Sequence, residues 1–160
     1  MNLLFRLAYR IAYRLVLLQG FLLRPHHDGA LVAAWLDGRI LLVRTSYRRG
    51  WSLPGGGVGR GETALDAAIR EAYEEIKLSL DPADLALEQE TTSFHEYRWD
   101  HAKVFAVDLA GPPKLRIDGR EIVEAAFHTP QAALAFRLPP YLRTYLLTGR
   151  ATALAAAPQR

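Results

Sequence analysis

Hydrophobic positions along the chain fall into two regimes: short apolar runs bounded by turn residues, and longer stretches in which charged residues recur at helical spacing. Residues 29–36 (GALVAAWL) and 39–46 (RILLVRTS) are runs of the first kind. They are separated by Asp37-Gly38, a strong signal for a two-residue hairpin turn. Residues 101–109 (HAKVFAVDL) and 120–128 (REIVEAAFH) read as two further strands. After the hairpin comes a glycine-rich loop, WSLPGGGVGRGE, and then a helix that begins at Thr63. Thr63 is placed as its N-cap, with Asp66 three residues on in a variant of the capping box. A second helix follows two prolines in PPYLRTYLLTGR. One helix after an early hairpin, another near the end and strands between them predict an α/β layer arrangement on a mixed sheet.

Residues 1–25 follow a different pattern. MNLLFRLAYRIAYRLVLLQGFLLRP is apolar apart from a few polar positions and the arginines, of which Arg6, Arg10 and Arg14 form a basic stripe at spacings of four. The longest uncharged run, Leu15 to Leu23, is nine residues, whereas about 20 are needed to cross a bilayer. The arginines also interrupt the apolar stretch that a signal peptide requires. Two readings stand: a helix packed against its own domain or a dimer partner, or an interfacial helix lying on an anionic membrane with arginines at the headgroups. Both place the protein in the cytoplasm, the second peripheral to the membrane. The expected organisation is a basic amphipathic helix (1–25), one globular domain (26–150) and an alanine-rich tail (151–160).

Composition narrows the chemistry. With 160 residues, half of them hydrophobic, the chain can bury a real core. It has no cysteine, which excludes disulfides, thiolate metal sites and thiol catalysis and fits a reducing compartment. The net charge of +3 permits attraction to anionic ligands without indicating a DNA partner.

Three glutamates in the central helix stand out. Glu71, Glu74 and Glu75 in REAYEEIKL fall near 0°, about 300° and about 40° on a helical wheel, one shared sector. Like charges so placed cost a few tenths of a kcal/mol per pair. Leu65, Ile69, Ala72 and Ile76 cluster between about 100° and 160° and read as a separate core-facing stripe, with Ala64, Ala67 and Ala68 bordering the acidic side. Arg70 can pair with Glu74, which leaves Glu71 and Glu75 without a local cation. A hard divalent ion, Mg²⁺ or Mn²⁺, prefers carboxylate oxygens and would convert the repulsion into coordination. A solvated acidic surface is the alternative. The glycine loop directly ahead of the helix, where backbone can approach a ligand closely, favours a site.

Gly56, five residues, Glu62, seven residues, Arg70-Glu71, two residues, Glu74-Glu75: this array resembles the Nudix box of the Nudix (MutT-like) hydrolases. LPGG before it and HTP after a late strand resemble the family's usual surroundings. The resemblance covers residues 28–145. It implies an α/β/α sandwich around mixed sheet and hydrolysis of a nucleoside diphosphate linked to another moiety X, with Mg²⁺ or Mn²⁺ as cofactor. It also implies metal ligation by Glu71, Glu74, Glu75 and the Gly55 carbonyl, orientation of the carboxylates by Arg70, and support from Glu62. Two positions depart from the pattern. Lys77 stands where the box carries a glycine, which implies a longer helix or a strained turn, and Ala72 replaces a larger aliphatic residue. Glu71 could help as general base, but in some members a glutamate outside the box acts; Glu96 and Glu121 are the candidates, each otherwise an ordinary surface or strand residue.

Ahead of the box, VRTSYRRGW supplies Arg44, Tyr47, Arg48 and Arg49. Arginine matches phosphate oxygens, and Tyr47 or Trp51 could stack on a base, although Trp51 reads rather as a core residue. His26 and His27, adjacent on an extended chain, point apart and read as incidental. The expected partner is a nucleotide-type small molecule. TTSFHEYRW lacks the proline that marks ADP-ribose hydrolases, which disfavours that substrate, while oxidised nucleoside triphosphates, sugar nucleotides, dinucleotides and RNA 5′ ends all remain open. Readings from other classes are a catalytically silent nucleotide sensor, which would tend to have lost box carboxylates, and a membrane-associated adaptor acting through residues 1–24.

Overall fold

The structure, a computed structural model, describes residues 2–23, 26–117 and 119–148. Six strands, β1 (His26–Leu36), β2 (Arg39–Thr45), β3 (Gly55–Gly57), β4 (Ala86–His95), β5 (Arg98–Asp108) and β6 (Ile122–His128), make one sheet in the order β4-β5-β1-β2-β6, with β3 added to β1. Only β1 and β5 run parallel among the paired strands, so the sheet is mixed as expected. The helices are α1 (Asn2–Leu23), α2 (Ala64–Ile76), α3 (Pro130–Leu134) and α4 (Pro140–Thr148).

The unbroken apolar run of β1 is explained by burial on both faces. Leu31, Ala33 and Trp35 enter one core, closed by Ala133 of α3 and by Leu142, Tyr145 and Leu146 of α4. Ala30, Val32 and Ala34 enter a second core, closed by Ala67, Ala68, Ala72 and Ile76 of α2. The strand period of two sends alternate residues to opposite layers, and the result is an α/β/α sandwich. In the first layer the Trp35 indole donates to the Tyr145 hydroxyl at 3.1 Å, and that hydroxyl donates to Glu88 at 2.6 Å. Asp37 and Gly38 make the hairpin turn with φ of 49° and 73°.

Beyond that turn β1 and β2 diverge. They pair only at Trp35–Ile40 and Leu36–Arg39, and the glycine-rich loop enters the gap. Val32 N–H donates to Pro54 O at 2.9 Å, while Val43 and Ser52 exchange backbone bonds of 2.9 and 3.0 Å. The sheet therefore carries the loop into the centre of the molecule, directly beneath α2.

Several expectations change. The third expected strand begins earlier, at Arg98, and the fourth later, at Ile122. β4 and the short α3 were not foreseen. Lys77 resolves as a left-handed turn (φ 58°) rather than a longer helix, with its N–H bonded to Tyr73 O at 2.9 Å. The face of α2 also differs from the wheel. Ala67 and Ala68 are fully buried and Ile69 only partly so. Alanines let the helix approach the sheet closely, so the buried arc rotates toward the acidic sector and takes Glu75 with it. The acidic and packing faces overlap.

α1 packs on its own domain along one side. Its inward side is Arg6, Tyr9, Tyr13, Leu17 and Gly20, spaced at three and four residues, and Gly20 is buried. Arg6 Nε donates to Gly119 O at 2.9 Å and Arg10 Nε to Ser46 O at 3.3 Å. Tyr9 stacks on Tyr47 with ring centres 5.9 Å apart, and Phe21 meets Tyr97 edge-on at 5.4 Å. No helix among the described residues is long and apolar enough to cross a membrane. The expected tail, 151–160, lies outside the described residues.

Candidate active site

The site starts from two glycines. Gly55 has φ of 141°, and a Cβ there would lie 2.3 Å from Ala30 O, so backbone packing admits no side chain. A Cβ on Gly56 would lie 2.5 Å from the Glu71 carboxyl carbon. The loop backbone thus rests directly against the acidic face of α2. Gly55 N–H donates to Glu75 Oε2 at 3.0 Å. Burial pushes the Glu75 carboxyl up to about 8, with Glu121 and Glu71 adding to the effect and the Gly55 N–H opposing it.

Arg70 organises the opposite edge. Its Nε and Nη2 bond the two oxygens of Glu62 at 2.8 and 3.0 Å, a fork-on-carboxylate pair. Its Nη1 reaches Glu71 at 2.7 Å and Glu74 only at 3.4 Å. The principal partners are therefore Glu62 and Glu71, not Glu74 as the helical spacing suggests. Glu62 also accepts Gly59 N–H at 2.9 Å. The Arg70 bond first, and that amide second, hold its carboxyl below the usual range. The bonds to Glu62 and then Glu71 raise Arg70 further above its ordinary value.

Glu71, Glu74 and Glu75 border a small cavity of about 80 Å³ together with Glu121 and Ile122 of the β6 region. Among the described residues no three carboxylate or imidazole groups are already drawn together at ligand spacing. Arg70 engages Glu71 and the Gly55 amide engages Glu75, so these contacts hold the carboxylates apart. The donor set nevertheless fits a hard divalent ion: all oxygen, several carboxylates, with one carboxyl held protonated near neutrality by its burial. Of the two candidate bases, Glu121 is the one that shares this cavity. It also accepts the Tyr47 hydroxyl at 3.0 Å. Glu96 lies elsewhere, paired with Arg48 at 3.1 Å and accepting a short bond from the Tyr13 hydroxyl.

A larger cleft of about 890 Å³ opens beside the glycines. Its floor includes Gly29, Leu31, Gly55 and Gly56, and its walls include Arg44, Tyr47, Arg48, Arg49 and Trp51. Arg44 is paired with Glu124 at 2.6 Å. Arg48 lies over the Tyr13 and Tyr47 rings at 5.3 and 5.8 Å, and Tyr47 is held strongly protonated by its burial. Trp51 is half-buried, stacked on Phe136 at 5.7 Å and packed against the first core, and it also lines the cleft. His27 faces inward to Asp100 at 3.4 Å while His26 is exposed, so the pair points apart. Sequence reasoning missed the remaining wall: Arg6, Arg10, Tyr13, Arg14 and Leu17 of α1. The four-residue spacing of the arginines was visible, but nothing local shows that this side of α1 turns toward a cleft.

The profile of the NUDIX domain family matches residues 25–147. Over 68 residues the chain is 40% identical to the RNA pyrophosphohydrolase of Halorhodospira halophila (strain DSM 244 / SL1), a match covering 42% of this chain and 36% of that protein. The matches span less than half the length of the curated relatives, 28% to 43% of each. The crystal structure of the MutT NUDIX hydrolase from Burkholderia pseudomallei superposes with a TM-score of 0.64 at 25% identity, covering 76% of this chain and 96% of that one. The MutT protein from Methanosarcina mazei Go1 superposes with a TM-score of 0.64 at 22% identity, covering 84% and 99%, a likeness of fold. The match extends over the sandwich, the glycine loop and the acidic helix alike, and the chain belongs to the NUDIX domain family.

Proposed function

We propose that the chain hydrolyses a pyrophosphate bond in a nucleoside diphosphate linked to another moiety, with Mg²⁺ or Mn²⁺ held by Glu71, Glu74, Glu75 and the Gly55 carbonyl. The observation that carries this reading is the convergence of Glu71, Glu74, Glu75 and Glu121 on one small cavity beside an arginine-lined cleft. A divalent ion there would neutralise charge on the bridge and acidify water. The chain's own groups then divide the remaining work. Arg44, Arg48 and Arg49 face the cleft where phosphate oxygens would lie, and Tyr47 and Trp51 offer rings to a base. Glu121 would take the proton of the attacking water, and its place in the same cavity as the proposed ligand glutamates supports that role. Arg70, fixed by Glu62, sets the direction of Glu71.

The test is phosphate or pyrophosphate release from a panel of nucleoside triphosphates, sugar nucleotides, dinucleotides and 5′-triphosphorylated RNA. The last is included because the Halorhodospira halophila relative bears the name RNA pyrophosphohydrolase. Metal-dependent turnover that falls more than about 100-fold in both Glu71→Gln and Glu75→Gln supports the reading. Nucleotide binding without turnover on any member would replace it with the silent sensor.

A further inference from the structure

We propose that α1 is an interfacial helix, docking the protein on an anionic membrane with its outward face while its inward face walls the cleft. The outward face is Leu4, Leu7, Ile11, Leu15, Leu18 and Leu22, each more than half exposed. They lie opposite the inward row of Tyr9, Tyr13 and Gly20 on the helix circumference. Their spacings of three and four residues keep them in one stripe from Leu4 to Leu22, which a flat bilayer boundary can accept along its whole length.

Charge points the same way. α1 carries Arg6, Arg10 and Arg14 and no acidic residue. Arg10 and Arg14 are exposed on the flank between the outward stripe and the cleft, where guanidinium groups reach headgroup phosphates while leucines enter the acyl boundary, whereas Arg6 sits on the inward side, bonded to Gly119 O. Two copies of α1 packed through the stripe would offer those arginines no carboxylate from either helix. The aromatic surface continues past the helix end. Phe21 contacts Tyr97, and on the same β4–β5 hairpin the exposed Phe94 and Trp99 rings meet at 5.4 Å. Tyrosine and tryptophan rings favour the headgroup level.

The experiment is co-sedimentation of the full chain with sucrose-loaded vesicles of phosphatidylcholine alone or with about one third phosphatidylglycerol, alongside the double variant Ile11→Glu/Leu15→Glu. Both residues are exposed and lie outside the cleft, so circular dichroism and vesicle-free activity should match the wild type. The expected result is binding to anionic vesicles at least tenfold stronger than to neutral ones, weakened by salt, and reduced at least tenfold in the variant. Wild type that fails to bind either vesicle overturns the proposal, as does equal binding by a correctly folded variant. A concentration-dependent dimer in sedimentation velocity that the variant abolishes, without vesicle binding, assigns the face to a second copy and also overturns it.

Discussion

Gly55 donates its N–H to a Glu75 oxygen at 3.0 Å, yet that carboxyl still takes up a proton near pH 8, because burial outweighs one amide bond. In the unfolded chain it returns to about 4.3. The folded state binds the proton more tightly, so this group's contribution to stability is fully present below about pH 4 and is lost as pH rises through about 8. Without divalent ions, Glu75→Gln should raise Tm by several degrees at pH 8.5, and the gain should vanish toward pH 4. Millimolar Mg²⁺ should raise Tm of the wild type and not of the variant. Scanning calorimetry across pH decides the matter: a difference that is flat with pH would remove the buried, cation-starved carboxylate from the account.

The contact between Gly56 and Glu71 gives a sharper separation of activity from folding. An added methyl at Gly56 lands 2.5 Å from the Glu71 carboxyl carbon, the far end of a flexible side chain. Glu71 can swing aside, so Gly56→Ala should fold with Tm within a few degrees of wild type. The displaced carboxylate should lower kcat by about 100-fold or more. Loss of folding in this variant, or full activity, would contradict the geometry.

Arg70 supplies a fork to Glu62 and a third donor to Glu71. Lysine keeps the charge but offers one point donor, so it cannot hold both carboxylates in place. Arg70→Lys should cost roughly 10- to 100-fold in kcat with KM nearly unchanged. Its effect on stability should stay within about 1 kcal/mol, since these pairs are partly exposed. Steady-state kinetics with a parallel urea titration would show this split, and a fall in stability alone would make Arg70 a structural residue.

The sequence made some of this legible for clear reasons. The Asp37-Gly38 turn and the apolar run before it are local signals, and the structure realises both. The grouping of Glu71, Glu74 and Glu75 follows from helical geometry alone. What failed was not local. β4, ALEQETTSFH, lies at the sheet edge with mostly exposed side chains, so it carries little hydrophobic alternation. Its turn uses Glu96 and Tyr97 at positive φ, without the glycine or asparagine that would have announced it. α3 did carry a signal, Thr129 as N-cap with Pro130 after it. The wheel misjudged α2 because it weighted large side chains, whereas the close contact is made by Ala67 and Ala68. Glu121 joins the carboxylates from about 50 residues away, and α1 joins the cleft from the far end of the chain, pairings that only the tertiary fold creates.

The place of α1 in the cleft leads to a last expectation. Tyr13 ties the helix to the domain through its hydroxyl on Glu96, its ring 5.3 Å from Tyr47, and the Arg48 guanidinium 5.3 Å from its own ring centre. Burial and the Glu96 bond push the Tyr13 hydroxyl up to about 12, so it remains a donor at neutral pH. Removing the side chain takes one contact each from Arg48 and Tyr47 and loosens the hold on the arginine wall, while Arg48 keeps Glu96, Tyr47 keeps Glu121 and Tyr9, and the glycine loop and α2 keep their own contacts. Tyr13→Ala should therefore raise KM by about tenfold and leave kcat within about threefold. Tyr13→Phe, which retains the ring contacts, should recover most of that loss. Hydrogen exchange should show residues 2–23 losing protection in Tyr13→Ala with the sheet unchanged. If kcat falls with KM constant, α1 acts on the reacting groups and not on substrate binding, and the wall assigned to it would have to be redrawn.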